Sequence, residues 1–269
     1  MSQLLFTAFS NRHDAVALAR AVGEQLEGDG VSSTLYLLDS PDAPVIDSST
    51  LVVSLGGDGT FLKSARLAHG MGARVVAVNL GQLGFLLSVP SYDVVENVKW
   101  ALSSDSVSER LALQVTASGL ELEEFALNEV VVERASAGHM VKVKTFVNDE
   151  EYLTYSADGV MVATPTGSTG YNFSAGGPVV DASLELMILT PIAPHFTIDR
   201  SIVVPVDNVI RLHVDDKPAM LVADGRTIGS LEPGQYVEVR KSPTPVHVVA
   251  TQRFDLATRL RRSLREGHA

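Results

Sequence analysis

Residues 54–60 read Ser-Leu-Gly-Gly-Asp-Gly-Thr, three glycines around a single carboxylate, Asp58. The run before them, Leu51-Val52-Val53-Ser54-Leu55, is short, apolar and β-branched, as a buried parallel strand is, and a helix-forming segment follows from Thr60. A strand that passes through glycines into a helix leaves backbone N–H groups and a helix N-terminus pointing outward. Such a turn receives phosphate, so Gly56, Gly57, Gly59 and Thr60 are the candidate phosphate loop. A carboxylate beside phosphate calls for a bridging cation, or for a proton to be taken from a nucleophile. The chemistry indicated is phosphoryl transfer. Read alone, the segment also fits a tight turn in which Asp58 merely caps the next helix.

Residues 156–178 carry the second cluster: Ser156, the pair Asp158-Gly159, a short apolar strand, then Thr164-Pro165-Thr166-Gly167-Ser168-Thr169-Gly170-Tyr171. Small residues let backbone approach a ligand, hydroxyls donate or accept without adding charge, and Tyr171 could stack on a base. A polar turn between strands explains these residues singly but not so many in succession. Asn128-Glu129 precedes Val130-Val131-Val132. Neighbours on a strand face opposite sides, so both reach one ligand only at a strand end or bulge. There an Asn can pair with an adenine edge and a Glu can accept from a ribose diol. Taken alone, a surface strand end is the commoner explanation of Asn128-Glu129, as an exposed surface histidine is of His139 in the turn Ala137 to Met140.

The elements that must hold these residues change character along the chain. Up to about residue 107, strands (Leu4–Phe9, Ser33–Leu38, Leu51–Leu55, Val75–Val78) alternate with helical spacings (Arg12–Leu26, from Thr60, Tyr92–Leu102), the pattern of a parallel sheet covered by helices. In such sheets ligands bind beyond the carboxyl ends of strands, where Asp58 falls. From residue 108 the chain is β-rich, with turns at Asn148-Asp149 and Glu232-Pro233-Gly234, and reads as an antiparallel, sandwich-like domain. The segment Ala182–Thr190 fits a short helix or a strand. We expect a Rossmann-like α/β domain over 1–107, an all-β domain over 108–250, and a helix over 252–267 returning to the first domain. The arginines of that tail (259, 261, 262 and 265) read as a solvated face.

Composition narrows the functional classes. The 269 residues are 45% hydrophobic and 20% charged, which suits a folded chain with core to spare, and none is cysteine. Disulfides, thiolate metal sites and cysteine nucleophiles are thereby excluded, and a cytoplasmic location is expected. No apolar run reaches membrane-spanning length. A net charge of −11 argues against a nucleic-acid surface, so an anionic ligand depends on local N–H groups, a cation and nearby bases such as Lys63, His139, Arg200 and Arg226.

Taken together the segments resemble the NAD kinase family, known also as ATP-NAD or inorganic polyphosphate/ATP-NAD kinases. The matching residues are Gly56-Gly57-Asp58-Gly59, Asn79-Leu80-Gly81 with Leu83-Gly84-Phe85, Asn128-Glu129, Asp158-Gly159, and Thr164 to Thr169 with Tyr171. Ser174 to Pro178 and Pro191 to His195 agree as well. The glycine-aspartate motif is shared with diacylglycerol, sphingosine and phosphofructokinases, whereas the threonine-rich segment with Asn-Glu is more specific. The resemblance implies transfer of the γ-phosphoryl group of ATP to the 2′-hydroxyl of the adenosine ribose of NAD, with Asp58 as general base. It implies that Asp58, Gly59, Lys63, Asn128, Glu129, His139, Ser156, Asp158, Thr169, Gly170, Tyr171, Asn172, Phe173 and Ser174 line the dinucleotide site. Mg²⁺ is expected with the nucleotide phosphates and without assigned protein ligands, and the assembly as a homodimer or homotetramer. Polyphosphate is a further possible donor. Two departures stand out: Gly170 replaces the usual alanine, and Arg226, after Asp224-Gly225, stands where many members carry glutamine. The alternatives are a lipid or sugar kinase sharing the glycine-aspartate loop, and a non-catalytic dinucleotide sensor.

Overall fold

The computed structural model describes residues 3–80, 89–90, 93–195 and 197–249. They form two compact units, one running to Glu109 and including the strand Val246–Val249, the other spanning Arg110–Pro245.

In the first unit the elements are β1 (Leu4–Ala8), α1 (His13–Gly28), β2 (Ser33–Leu37), β3 (Leu51–Gly56), α2 (Asp58–Ala68), β4 (Arg74–Asn79), β5 (Val89–Pro90), α3 (Val94–Ser103) and β6 (Val107–Arg110). Strands β2, β1, β3 and β4 lie side by side and parallel, which is the doubly wound pattern expected from the alternating periods. Alternate residues of these strands face opposite sides. Leu4, Phe6, Leu51, Val53, Val76 and Val78 pack with Ala15, Ala19, Val22 and Leu26 of α1 and Val94 and Val98 of α3. The other face carries Thr7, which bonds to Ser64 of α2. Helices therefore cover both faces.

The second unit continues with β7 (Leu113–Ala117), β8 (Glu123–Ala126), β9 (Glu129–Arg134), β10 (Val141–Val147), β11 (Glu150–Ala157), β12 (Gly159–Ala163), a 3₁₀ turn (Thr166–Thr169), α4 (Tyr171–Ser174), β13 (Leu186–Ile192), β14 (Ile202–Pro205), β15 (Ile210–Val214), β16 (Ala219–Ala223), β17 (Arg226–Leu231) and β18 (Tyr236–Lys241). They make two six-stranded sheets, ordered β11-β10-β15-β18-β7-β8 and β14-β13-β12-β9-β16-β17, in which neighbouring strands run antiparallel. Their inward residues share one core, including Val130, Val132, Val160 and Val162 from one sheet and Val141, Val143, Leu212 and Val237 from the other. Asn148-Asp149 forms the expected hairpin turn, both residues at positive φ (52° and 69°).

The ambiguous segment after Ala182 resolves as strand β13, because Ile188 to Ile192 pair in register with Ala163 to Gly159 of β12. Two findings differ from the sequence reading. The strand β19 (Val246–Val249), placed by sequence in the second domain, pairs in parallel with β4 in the first sheet, and β6 joins that sheet beyond it. The helix expected over 252–267, its arginines and the Gly81–Phe85 segment lie outside the described residues. Among the described residues no helix is long and apolar enough to cross a membrane.

Candidate functional site

Strand β3 is buried along its whole length, and its last residue, Gly56, pairs with Asn79 at the carboxyl end of β4. A Cβ on Gly56 would stand 2.3 Å from Thr60 Oγ1, so the strand can turn tightly under the helix only with glycine there. The N-cap of α2 is Gly57, in extended backbone, and its carbonyl accepts from the N–H groups of Thr60 (3.0 Å) and Phe61 (3.1 Å). Asp58 is the first helical residue and not the N-cap, and as an acidic side chain in the first turn it also suits the positive end of the helix. It is half-buried, and Gly59 is exposed. Added Cβ atoms on Gly57 or Gly59 would meet nothing within 4 Å, so these two glycines leave backbone uncovered instead of avoiding a clash. Lys63, exposed on α2, places its ammonium 4.6 Å from the centre of the Phe9 ring. Its charge reinforces the depressed pKa of Asp39, which is set first by the Ser10 hydroxyl donating to that carboxylate.

The start of α2 is tied to the sheet through buried hydroxyls. Thr7 Oγ1 donates to Val53 O at 3.3 Å and shares a 2.8 Å bond with Ser64 Oγ, which donates to Thr60 O at 2.8 Å. Arg12, not singled out by sequence, donates to Leu80 O at 2.7 Å and so holds the chain leaving β4.

In the second unit, Asn128 and Glu129 fall where β8 ends and β9 begins, the strand end that both side chains need in order to reach one ligand. The Asp224 carboxylate accepts the backbone N–H groups of Leu127 (2.9 Å), Asn128 (2.7 Å) and Glu129 (3.3 Å). Thr164 holds the carbonyls on the other side: its N–H donates to Asn128 O (2.8 Å) and its hydroxyl to Leu127 O (2.6 Å). Gly167 then crosses the Asn128 carbonyl so closely that a Cβ would lie 2.1 Å from that oxygen.

The held residues present unsatisfied atoms. Asn128, Glu129 and Thr166 expose 8%, 6% and 6% of their surface, yet Asn128 Oδ1, Glu129 Oε2 and Thr166 Oγ1 have no hydrogen-bond partner among the described residues. Buried polar atoms in folded proteins are nearly always paired, so three unpaired ones in neighbouring segments mark a place for a ligand. The Glu129 carboxyl is pushed up to about 8, first by burial and then by the Asp224 charge, with the Tyr171 backbone N–H opposing. Burial and the Asp224 charge thus favour its protonated form, which can donate a hydrogen bond.

Beyond Thr164 the chain makes the 3₁₀ turn, passes Gly170 and enters α4. Thr169 and Gly170 are half-buried, while Tyr171, Phe173 and Ser174 are exposed. A Cβ on Gly170 would lie 3.4 Å from Asn128 Nδ2 and 3.5 Å from Glu129 Oε2, ordinary contacts, so the turn has room for alanine at this position. The Tyr171 phenol is raised by partial burial and by the charges of Glu133, Asp158 and Glu129, which groups those carboxyls around it. Asn172 is fully buried and its amide is used inside the fold: Nδ2 donates to Ser168 O and Pro178 O, and Oδ1 accepts from Thr190. It shapes the turn.

Asp158 pairs with Arg134 at 3.2 Å, and Gly159 passes under the Val132 carbonyl, where a Cβ would stand 2.8 Å away. Ser156, half-buried on β11, accepts the His195 N–H at its carbonyl (2.8 Å). His139 is exposed between β9 and β10. Arg226 pairs with Glu124 of its own chain at 2.7 Å. The structure thus gathers Asn128, Glu129, Asp158, Gly170 and Tyr171 in one region of the second unit and the glycine-aspartate turn with Lys63 in the first. Sequence reading quoted Asp224 only to place Arg226, and took Thr164 as the first residue of a ligand-suited segment without foreseeing that it holds the carbonyls of Leu127 and Asn128. The only available signals were an Asp-Gly turn pair and the first of several threonines.

Comparison with known proteins places this chain among relatives. The family model described as the ATP-NAD kinase N-terminal domain matches residues 11–103, and that of the C-terminal domain matches 127–251. The NAD kinase of Gemmatimonas aurantiaca is 39% identical over 220 residues, covering 79% of this chain and 76% of the relative. That of Heliobacterium modesticaldum is 36% identical over 272 residues, covering 96% of each. An NAD kinase from Archaeoglobus fulgidus, solved in complex with ATP, superposes with a TM-score of 0.76 at 27% identity, over 97% of this chain and 99% of that one. Yeast NADH kinase complexed with NADH shares the fold, with a TM-score of 0.85 at 21% identity over 99% of this chain and 89% of the other.

Proposed function

The chain belongs to the ATP-NAD kinase family, and on that premise we propose the reaction and the residues that carry it. It is an NAD kinase that moves the γ-phosphoryl group of ATP to the 2′-hydroxyl of the adenosine ribose of NAD. The O–P bond forms at the ribose oxygen as the bond to the β-phosphate oxygen breaks, ADP leaves, and the hydroxyl proton passes to the Asp58 carboxylate. The observation that carries the base assignment is the position of Asp58 on the first turn of α2, beyond the carboxyl end of β3, with a capping role already taken by Gly57.

Phosphoryl transfer asks mainly for positioning and charge neutralisation. The uncovered backbone at Gly57 and Gly59 receives phosphate at the positive end of α2. A carboxylate is a far weaker base than the alkoxide of an alcohol, so the proton leaves late, when the ribose oxygen is already bonding to phosphorus. Among the described residues no cluster of three metal-binding side chains occurs. Mg²⁺ would be held by the substrate phosphates and waters, with no protein ligand assigned to it, and would neutralise phosphate charge.

Asn128 reads the adenine edge through its amide, and neutral Glu129 donates to the ribose. Asp158 and Tyr171 complete the dinucleotide contacts of the second unit, with His139, Ser156 and the Thr169–Ser174 turn, and Lys63 serves with Asp58 and Gly59 in the first; Asn172 contributes through the turn it builds. We place the enzyme in the cytoplasm, where ATP and NAD meet, as a homodimer or homotetramer joined through its β unit. The reading is tested by incubating the purified chain with ATP, Mg²⁺ and NAD and detecting NADP through an NADP-specific dehydrogenase. NADP formation supports it, and substitution of polyphosphate or NADH defines donor and acceptor range. No NADP from any pairing overturns it.

A further inference from the structure

We propose that Asp224 is the positioning residue for Asn128 and Glu129, its single carboxylate gathering three successive backbone N–H groups and so aiming both side chains at the ligand. The proposal deepens the functional reading and rests on its assignment of Asn128 and Glu129 to the dinucleotide.

Asp224 and Gly225 are the two residues of the β16–β17 hairpin turn, closed by the pairing of Ala223 with Arg226. Their φ values of 49° and 72° are the left-handed pair that a two-residue turn requires, and Asp-Gly tolerates it. Strand β16 lies beside β9, Ala223 opposite Val130, and Asp224 N–H extends that ladder by donating to Glu129 O at 3.0 Å. The turn therefore hangs over the start of β9 with its carboxylate facing the neighbouring backbone.

Successive N–H groups of a strand point alternately to opposite edges. From Leu127 to Glu129 they converge on one carboxylate, which requires the chain to leave strand geometry where the two binding residues stand. Converging N–H groups make an anion-binding concavity. Here the protein supplies the anion itself, and the segment is locked. With Thr164 taking the carbonyls of Leu127 and Asn128 and Asp224 N–H taking that of Glu129, all six backbone polar groups of the three residues have fixed partners. What remains unpaired among the described residues is Asn128 Oδ1 and Glu129 Oε2, on the side chains.

The test uses Asp224→Asn in the full chain. Asparagine keeps the left-handed backbone and one acceptor oxygen but turns an amide NH₂ toward the N–H donors. By calorimetry, Asp224→Asn should weaken NAD binding about tenfold or more, the size of one lost charge-assisted bond. ATP KM should stay within about twofold of its original value if the effect is confined to this segment. Amide exchange at residues 127–129 should quicken at least about tenfold, the same loss read directly on the N–H groups. In an Asn128→Ala/Glu129→Ala background the same change should add less than about twofold to the NAD loss, since the side chains it aims are gone. If Asp224→Asn does not fold, Asp224→Ser tests the same contact, since its shorter hydroxyl cannot gather the three N–H groups: amide exchange at 127–129 should quicken and NAD binding weaken as for asparagine. Equal NAD losses in both backgrounds, or unchanged amide exchange at 127–129, would overturn the positioning role. Undiminished NAD binding by Asn128→Ala/Glu129→Ala alone would overturn the dinucleotide assignment, and with it the role of Asp224 in aiming those side chains, even if the amide exchange responds.

Discussion

Thr7 and Ser64, 57 residues apart in the chain, share a buried 2.8 Å hydrogen bond between β1 and α2. The bond fixes the helix on whose first turn Asp58 stands, because Ser64 also donates to Thr60 O. Ser64→Ala leaves the Thr7 hydroxyl with only its 3.3 Å bond to Val53 O, and should cost about 1–2 kcal/mol. Thr7→Ser, which keeps the hydroxyl, should cost less than Thr7→Val. Thermal melts of the three variants check the order; equal melting points would mean that the bond contributes nothing.

The glycines separate into two kinds. At Gly167 a Cβ would lie 2.1 Å from the Asn128 carbonyl oxygen, and backbone cannot yield as a side chain can. Gly167→Ala should lower the melting point and weaken NAD binding together. At Gly59, inside α2 and with nothing within 4 Å, Gly59→Ala should keep or raise stability by up to about 1 kcal/mol, since alanine is the better helix former. It should nonetheless raise the KM for ATP, because the methyl covers backbone offered to phosphate. Melting curves and ATP kinetics on both variants test the distinction.

Glu129 predicts a pH dependence of stability. Its carboxyl is raised from 4.5 to about 8 in the folded chain by burial and by the Asp224 charge. Between those values the folded state holds a proton that the unfolded chain has released, so unfolding releases it. Stability from this group is complete below about 4.5 and falls as pH rises to about 8, by at most about 1.4 kcal/mol per unit. Glu129→Gln, which cannot ionise, should have the flatter profile, and its advantage over the parent chain should grow across that window. Parallel profiles would show that the carboxyl is ionised in the folded state.

Arg226 and Glu124 form a partly exposed pair at 2.7 Å. A double-mutant cycle with Arg226→Gln and Glu124→Gln should give a coupling of about 0.2–1 kcal/mol in unfolding experiments. A coupling several times larger would mean that the pair is shielded from water, as by a second subunit.

The parallel sheet was legible because each of its first strands is a short apolar run followed by helical spacing. Strands β6 and β19 were not. Val107-Ser108-Glu109-Arg110 is too polar to announce a strand, and Val246–Val249 reaches β4 only after the chain has built the whole second unit. In the site, the glycine-aspartate turn, Asn128-Glu129 and the segment from Thr164 carry their chemistry in their own side chains and spacing. Asp224 acts through backbone N–H groups 95 to 97 positions away, and such a contact leaves no local pattern. Asn172 stood out as a member of a ligand-rich run, but its amide closes the turn from within.

In the proposed reaction Asp58 takes the proton of the ribose hydroxyl. The direct measurement is the turnover of Asp58→Asn with ATP, Mg²⁺ and NAD, alongside its NAD affinity and melting point. Loss of a general base should cut kcat by about 10² or more while the chain stays folded and binds NAD comparably. Turnover near that of the parent chain would remove Asp58 from the chemistry.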